Sequence, residues 1–430
     1  MSSVKRHTFK NGLELVYQSS NKSIPITCIY IFCKVGSAYE MDPIRGASHF
    51  VEHMCFTGTT KIKKVQDLIR EYNMIGSHTN AYTEKHHTGY YVTCDNQFFD
   101  HSCHLLSDMV LHSIFPKKEF NKEQGVVVEE NIRAIDDNNE LLKCRTESHY
   151  YKGSSYQYPI DSIEYHPTPT HLKYNDMMTW YTHFYVPSNM VVSIVSSLPY
   201  SHILNIITTS DLAKIRTTPV TFRPCLTLLP LHDTFAVDYY HKKGISTTLI
   251  HLGFRTCKYT SKDTHILHVL QSIMNGFSGR LFIEFRTKRG LTYRTNCIMD
   301  SQEHMGYFSF FIQTDPKKVM AVIPILIKLL HDIKRGISED ELTRAKAVMK
   351  GQLLRSMEQI VTFATYNGSE CMYGSKIIPF QNLYSVYSRI TTKQINDVID
   401  RYFHKENMVV CILYDKEIDK KKIDSLFARV

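Results

Sequence analysis

The sequence predicts an α+β protein of two homologous domains, each a mixed β-sheet with helices packed on one face. Two observations support this fold class. Segments that alternate like half-buried strands are interspersed with segments of helical periodicity. In addition, Asn189-Met190-Val191-Val192 recurs as Asn407-Met408-Val409-Val410, each time after a helix-like segment. An offset of about 218 residues indicates a duplicated domain rather than a solenoid unit.

The elements of the first copy follow from its periodicity. Residues 8–18 and 26–36 alternate like paired strands, residues 43–58 and 64–75 have helical spacing, and residues 80–95 alternate again. Residues 101–135 are mostly helical. In the second copy the repeated strand is followed by an amphipathic helix that contains Ile418, Ile423 and Phe427.

The length of the chain also favours two domains. A chain of 430 residues, 43% of them hydrophobic, is too long for one ordinary core. Residues 214–232 contain three prolines and little periodicity, as is typical of a linker. We therefore expect a first domain at 1–213 and a second at 233–430.

The segment His49-Phe50-Val51-Glu52-His53 reads H-x-x-E-H, the order of the inverzincin signature. Residues three and four apart are neighbours on a helix, so His49 and His53 can bind one metal ion while Glu52 remains available as a base. A chain with 22 histidines also produces such pairs by chance. The motif alone leaves a metal site and a plain histidine cluster open.

A third ligand is needed, because a catalytic zinc commonly has three protein ligands and one open position. Glu123 and Glu130 are two helical turns apart on one face of a predicted helix, whereas Glu129 points away by about 100°. An acid on an inward face is costly unless it is paired or binds a metal. The alternative is a solvated acidic face.

The repeat offers an internal comparison for this site. Aligned by eye, the offset of the repeat places Leu267 at the position of His49, Leu270 at Glu52, Gln271 at His53 and Val348 at Glu130. Inward-facing helix positions are usually apolar, so the fold itself does not require the polar set of the first copy. The comparison favours a metal site in the first domain.

These residues resemble the pitrilysin/insulinase-type zinc peptidases, which include the mitochondrial processing peptidases. The resemblance extends to the flanking Arg45–Ser48 and Met54–Thr59, and to the spacing in sequence between His53 and the glutamate at 130. It implies one zinc ion per chain, bound by His49, His53 and Glu130. It also implies that Glu52 is the catalytic base and that Glu123 supports a metal-binding residue without binding the metal itself.

The segment Gly76–Thr83, followed by Thr88 and Tyr90, resembles the family's edge strand. The resemblance implies that Asn80 and Ala81 lie beside the zinc and pair with extended substrate, so that the main chain provides affinity and pockets provide specificity. The alternative for Asn80 is a plain turn asparagine.

In the second half, Asn275–Phe282 with Arg286 and Tyr293 resembles the family's glycine turn and substrate-binding Arg/Tyr pair. Such a pair would supply donors to a developing oxyanion; the alternative is a surface arginine and a packed tyrosine. Larger relatives join four such domains in one chain. A two-domain chain with both residue sets therefore implies a homodimer in which each zinc site is completed by the other protomer, although a heterodimer stays open.

The expected function is that of a zinc-dependent metalloendopeptidase that hydrolyses short or unfolded polypeptides. The alternatives are a peptide-binding or scaffold subunit of a larger processing complex and a structural zinc protein, which would need a fourth protein ligand.

Bulk composition adds further expectations. The net charge of +9 is spread among interleaved acids, and no nucleic-acid module is visible. The eleven cysteines form no disulfide framework, which indicates a reducing compartment. No apolar run is as long as a membrane span requires, and the first hairpin begins near the start of the sequence. We therefore expect a cytoplasmic protein without a signal, transit or membrane-spanning segment.

Overall fold

The computed structural model describes residues 4–42, 44–160, 172–216, 220 and 234–429. The chain divides into two compact units, and neither is continuous in sequence. Unit 1 comprises Met1–Arg133, Tyr158–Cys225 and Ser356–Gln381, and unit 2 comprises Ala134–Gln157, Leu226–Arg355 and Asn382–Val430. Domains at 1–213 and 233–430 would place residues 134–157 in the first domain and residues 356–381 in the second. Instead, residues 134–157 lie in unit 2 and residues 356–381 lie in unit 1. The proposed linker at 214–232 falls largely outside the described residues.

Eleven strands are found in the described residues. In chain order they are β1 (Lys5–Thr8), β2 (Glu14–Ser19), β3 (Ile26–Cys33), β4 (His78–Thr83), β5 (Thr88–Asp95), β6 (Met190–Ser196), β7 (Ala236–His241), β8 (Thr248–Thr256), β9 (Thr292–Ser301), β10 (Gly306–Thr314) and β11 (Met408–Tyr414).

The same residues form fifteen α-helices. They are α1 (Ala47–Cys55), α2 (Val65–Met74), α3 (Phe99–Leu111), α4 (Lys117–Asp136), α5 (Asn138–Tyr150), α6 (Tyr174–Phe184), α7 (Tyr200–Thr209), α8 (Asp211–Lys214), α9 (Lys262–Met274), α10 (Val319–Lys334), α11 (Glu339–Ser356), α12 (Ile360–Met372), α13 (Leu383–Tyr387), α14 (Thr392–Tyr402) and α15 (Lys420–Phe427). The predicted α+β class is confirmed.

Unit 1 contains a six-stranded sheet in the order β1-β2-β6-β3-β5-β4. All pairs are antiparallel except β2 with β6. The central β3 and β6 are buried along nearly their whole length, which requires cover on both faces, so the expectation of helices on one face alone is not met by this sheet. On one face α12 packs so closely that a Cβ on Gly368 would lie 2.1 Å from the ring of Phe32. Strand β4 forms one edge of the sheet.

Unit 2 contains a five-stranded sheet in the order β7-β11-β8-β10-β9. This order repeats that of β2-β6-β3-β5-β4, and the first residues of β6, β5 and α6 precede those of β11, β10 and α14 by one common offset. The duplication is therefore confirmed in the topology. Helix α5 packs on β11 and β8, as α12 packs on β6 and β3. Each sheet is covered by a helix from the other half of the chain, which explains why both units are discontinuous.

Candidate metal centre

Helix α1 places the H-x-x-E-H residues on one face. Its Phe50, Val51 and Met54 are buried, whereas the opposite side presents the metal face, which we define as His49, Glu52 and His53. The helix begins after Gly46, whose φ of 85° is in the left-handed region and which has no capping side chain.

A buried carboxylate replaces the missing cap. The side chain of Glu40 accepts hydrogen bonds from the backbone N–H of Gly46 at 2.6 Å and of Ser48 at 2.7 Å. Burial raises the pKa of Glu40 to about 7, although both N–H groups and the charge of Arg45 act in the opposite direction. The first turn of the helix is therefore bound to an acceptor that lies well upstream in the sequence.

Helix α4 supplies the third candidate ligand. It follows Phe115, whose φ of 44° is unusual for a bulky residue, and Pro116. Phe120, Val127 and Asn131 fix one side of α4 in the core. Glu123 and Glu130 are partly buried, and Glu129 is exposed, as its predicted direction requires.

The structure brings His49, His53 and Glu130 together. The Nε2 atoms of the two histidines are 3.2 Å apart, and Oε2 of Glu130 lies 3.3 Å from Nε2 of His53 and 3.8 Å from Nε2 of His49. Tetrahedral zinc with bonds of about 2.0–2.1 Å separates its ligand atoms by about 3.3 Å. The spacing and the two-imidazole, one-carboxylate donor set therefore fit a zinc ion.

The electrostatics of the cluster also suit a cation. Burial and the neighbouring His53 lower the pKa of His49 to about 4, so its imidazole is neutral near pH 7, which is the form that binds a metal ion. Burial alone would lower the pKa of His53, but its hydrogen bond to Glu123 and the charge of Glu130 raise it. Nδ1 of His53 lies 3.3 Å from Oε2 of Glu123, which is the arrangement expected of a residue that orients a metal-binding histidine.

Glu52 lies between the helix and strand β4. Its Oε2 accepts a hydrogen bond of 2.6 Å from the hydroxyl of Thr83 in β4, which fixes one carboxylate oxygen. The sequence indicated Thr83 only as part of the matched strand and assigned it no role.

Asn80 and Ala81 lie on β4, which is paired on one side with β5 and is the last strand of its sheet. Asn80 is exposed, and its side-chain oxygen accepts a hydrogen bond of 2.8 Å from the N–H of Ala81. An edge strand of this kind offers backbone donors and acceptors to an added strand.

Arg286 and Tyr293 lie together in unit 2. Arg286 is in a π-helical turn at Phe282–Thr287, and its Nη1 donates to the carbonyl oxygens of Thr292 at 2.9 Å and of Tyr293 at 3.2 Å. Both side chains are exposed, and that of Tyr293 is 63% accessible. The tyrosine is therefore not packed in the core.

The second copy contains a counterpart of the metal face, displaced by one position from the alignment made by eye. We aligned the two helices at their last residues, Cys55 of α1 and Met274 of α9. In this alignment, every position of α1 has the same burial, buried or partly buried, as the matching position at the end of α9. Leu267 and Leu270 are fully buried core residues, so the expected correspondence to His49 and Glu52 is wrong. The counterpart face, as we call it below, is His268, Gln271 and Ser272.

The offset of the repeat is unchanged for the third ligand. Val127 and Asn131, the buried residues around Glu130, correspond to the buried Ala345 and Met349 of α11. Val348 therefore remains the counterpart of Glu130, and it is exposed. A short repeat of identical residues cannot show that the offset changes within the copy.

Two family models match this chain. The model described as insulinase (peptidase family M16) matches residues 15–161, and the model described as the peptidase M16 inactive domain matches residues 171–349. The chain belongs to the insulinase family of peptidases. The matched ranges place the metal face in the first model and the counterpart face in the second.

Relatives within the insulinase family extend over nearly the whole chain. An uncharacterized zinc protease of Bacillus subtilis is 26% identical over 415 residues, 95% of this chain and 98% of the relative. A probable mitochondrial-processing peptidase subunit beta of Arabidopsis thaliana is 20% identical and covers 94% of this chain and 77% of its own length. Relatives of this chain are thus named as zinc proteases.

Solved structures share the fold. A protease from Helicobacter pylori superposes with a TM-score of 0.87 at 20% identity, covering 96% of this chain and 99% of its own. A structure titled peptidase M16 inactive domain, from Pseudomonas fluorescens, has a TM-score of 0.85 at 16% identity, covering 97% and 100%. The same architecture therefore occurs in a chain described as a protease and in one described as an inactive domain.

Two bulk properties can be described from the structure. Among the described helices, none is both long and apolar enough to span a membrane. The ten cysteines within the described residues are all free thiols.

Proposed function

We propose that this protein is a zinc-dependent metalloendopeptidase that cleaves short or unfolded polypeptides. In this proposal His49, His53 and Glu130 hold one zinc ion per chain, and Glu52 is the catalytic base. The observation that supports it most is the ligand triangle of 3.2, 3.3 and 3.8 Å with a hydrogen-bonded carboxylate on the same helix face.

A zinc ion bound there would supply a Lewis acid that activates a water molecule and polarises the scissile carbonyl. Glu52 takes the proton of the attacking water on its carboxylate and passes it to the leaving nitrogen. The hydrogen bond from Thr83 to Oε2 fixes the orientation of the Glu52 carboxylate for this role. Glu123 keeps the ring of His53 oriented through the hydrogen bond to Nδ1.

The substrate class follows from strand β4. A peptide that adds to this edge must be extended over several residues, because it exchanges main-chain hydrogen bonds with Asn80 and Ala81. Folded proteins seldom present such a segment, whereas short and unfolded polypeptides do. We therefore assign substrate binding to the outer edge of β4.

We further propose a homodimer in which Arg286 and Tyr293 of one protomer complete the zinc site of the other. Exposed donors beside a scissile carbonyl can stabilise its developing negative charge. The guanidinium of Arg286 is bonded to the backbone carbonyl of Tyr293 and both side chains are exposed in unit 2, whereas the ligand set belongs to unit 1. A chain that contains both sets can form such a dimer with a second copy of itself.

Mixing two inactive variants tests this dimer. Glu52→Gln and Arg286→Ala proteins, combined under exchange, should recover activity, because in a mixed dimer one site has both residues intact. Random exchange restores about a quarter of the sites. Mixing Glu52→Gln with a Glu52→Gln/Arg286→Ala double variant is the control without recovery. If the first mixture also stays inactive, or light scattering shows a monomer, the dimer proposal is wrong.

Cleavage of an unfolded fluorogenic peptide tests the peptidase proposal. We expect turnover that a chelator abolishes and that zinc restores, and no turnover by Glu52→Gln. A protein that binds the peptide without cleaving it would instead be a binding or scaffold subunit. Zinc bound without peptide binding or turnover would indicate a structural metal.

We place the protein in the cytoplasm, because free thiols in this number persist in a reducing compartment. Cell fractionation with a cytoplasmic and a secreted marker tests this assignment.

A further inference from the structure

The segment before α1 connects the metal face to the substrate strand. The backbone N–H of Ser37 donates to the carbonyl of Glu84 at 3.2 Å, and that of Ala38 donates to the carbonyl of Lys85 at 2.8 Å. Glu84 and Lys85 form the turn directly after β4. Gly36 allows this approach, since a Cβ at its position would lie 2.0 Å from the oxygen of Glu84.

Glu40 forms the other end of this connection. Only 3% of its surface is exposed, and its two oxygens accept separate hydrogen bonds from the first turn of α1. The second of these bonds goes to Ser48, the residue directly before His49. Charge-assisted bonds that N–H groups at a helix start donate to a carboxylate are both short and directional.

We propose that Glu40 is a positioning residue that holds the metal-binding helix α1 in register with the substrate strand β4. This inference rests on the proposed function. The carboxylate takes the place of an N-cap side chain that Gly46 cannot provide. The backbone N–H of Glu40 donates to the carbonyl of Ser37, whose own N–H donates to the turn that follows Thr83. A shift of the first turn of α1 moves His49 against Glu130 and Glu52 against Thr83.

The merely structural alternative is that Glu40 stabilises the fold without affecting the metal site. Glu147 in unit 2 is a matched control, since it is also a buried glutamate and accepts a hydrogen bond of 3.0 Å from Tyr307. Both residues have an isosteric glutamine variant, in which one carboxylate oxygen becomes an N–H₂ donor.

The test measures zinc affinity by competition with a chromophoric chelator, together with kcat, KM and the melting temperature. Glu40→Gln should weaken zinc binding about tenfold, and Glu40→Ala up to about 100-fold, the range for residues that orient metal ligands. The value of kcat should fall with KM changed less than about twofold, because the edge of β4 is intact. Glu147→Gln should lower the melting temperature and leave zinc affinity unchanged.

Three outcomes would overturn the inference. One is wild-type zinc affinity and kcat in a folded Glu40→Gln protein. Another is an equal loss of zinc affinity in Glu147→Gln, which would make the effect one of general stability. A wild-type protein that neither binds zinc nor cleaves peptide would refute the proposed function and this inference together, whereas a zinc-binding wild type with an unaffected Glu40→Gln variant refutes only the inference.

Discussion

Helix α1 of unit 1 and its counterpart α9 of unit 2 differ in what their polar side chains contact. On α9, Gln271 donates to the carbonyl of Cys297 in β9 at 3.1 Å, and Ser272 donates to the carbonyl of Ala345 in α11 at 3.3 Å. Two of the three residues of the counterpart face thus bond to backbone groups of the adjacent strand and helix, and the ring of His268 lies against that of Tyr387. On α1 the equivalent positions contact side chains of Thr83, Glu123 and Glu130.

The helices that face them differ in the same way. Glu341 of α11, the counterpart of Glu123, binds the guanidinium of Arg280 through both oxygens at 2.5 and 2.8 Å. Glu123 is instead paired with His53. On its own helix, Glu130 forms a long ion pair of 3.8 Å with Arg133. Unit 2 neutralises its acid inside the protein, and unit 1 gathers acids around two imidazoles.

This difference separates what the fold needs from what the chemistry needs. A helix, its strand and its facing helix pack in unit 2 with ordinary hydrogen bonds to backbone carbonyls. Glu52 and Glu130, whose counterparts are Gln271 and Val348, are therefore not required for packing, and carboxylates and imidazoles gathered without that purpose fit a bound cation.

The largest expected effect is on turnover. Glu52→Gln gives α1 the residue of α9 and removes the base, so kcat should fall by about 10²–10⁴-fold while zinc remains bound. The reciprocal change Gln271→Glu should leave kcat within about twofold, because no set of metal ligands surrounds α9 among the described residues. Peptide cleavage and metal content measure both; retained turnover by Glu52→Gln would remove it as the base.

Exchanging a ligand should affect zinc binding next. His53→Ser, which copies Ser272, removes one of three ligands and should weaken zinc binding by about 100-fold or more. Ser272→His combined with Gln271→Glu builds an H-x-x-E-H motif on α9 but lacks a third ligand, since Val348 is exposed and apolar. We expect one zinc per chain in that variant by metal analysis; a second zinc would show that the motif suffices without α4.

A smaller effect is expected from the outer acid of the site. Glu123→Gln weakens the hydrogen bond that orients His53 and should reduce zinc affinity by about 10–100-fold without a large change in melting temperature. Chelator competition measures the affinity. An unchanged value would mean that Glu123 has no part in holding the ligand.

The smallest effect concerns stability in unit 2. The hydrogen bond from Arg280 lowers the pKa of Glu341 from 4.5 to about 2. Since the folded value lies below the unfolded one, this stabilisation is present above pH 4.5 and is lost as the pH falls toward 2. Glu341→Gln should cost about 1 kcal/mol of unfolding free energy near pH 7, after solvent screening, and leave zinc affinity unchanged. Denaturant unfolding at pH 7 and pH 3 should show the difference shrinking in acid; a constant difference would contradict the ionic origin.

Periodicity and the sequence repeat predicted the α+β class and the duplication, and the resemblance to the zinc peptidases predicted that Glu130 lies with the metal face. Periodicity succeeds because residues at helical spacing share a face whatever the tertiary structure. It could not predict that α5 and α12 cover sheets of the opposite halves, because an amphipathic helix does not specify which sheet it packs on.

Two details of the site also depend on tertiary structure. Glu40 lies outside α1, so no helical spacing connects it to His49; the signal available was a helix start at Gly46 without a capping side chain. The change of offset at α9 arises after the helix. Cys55 at the end of α1 and Thr88 at the start of β5 are 88 − 55 = 33 positions apart, whereas Met274 at the end of α9 and Gly306 at the start of β10 are 306 − 274 = 32 apart. A sequence repeat located elsewhere cannot reveal this difference.

Zinc stoichiometry in a Glu130→Val variant tests the central claim most directly. This change gives α4 the residue that α11 has at the corresponding position, and it leaves the buried side of the helix untouched. We predict one zinc per chain in the wild type and none retained after gel filtration in Glu130→Val, with unchanged helical content by circular dichroism. Equal zinc content in the two proteins would contradict the assignment of the metal centre to α1 and α4.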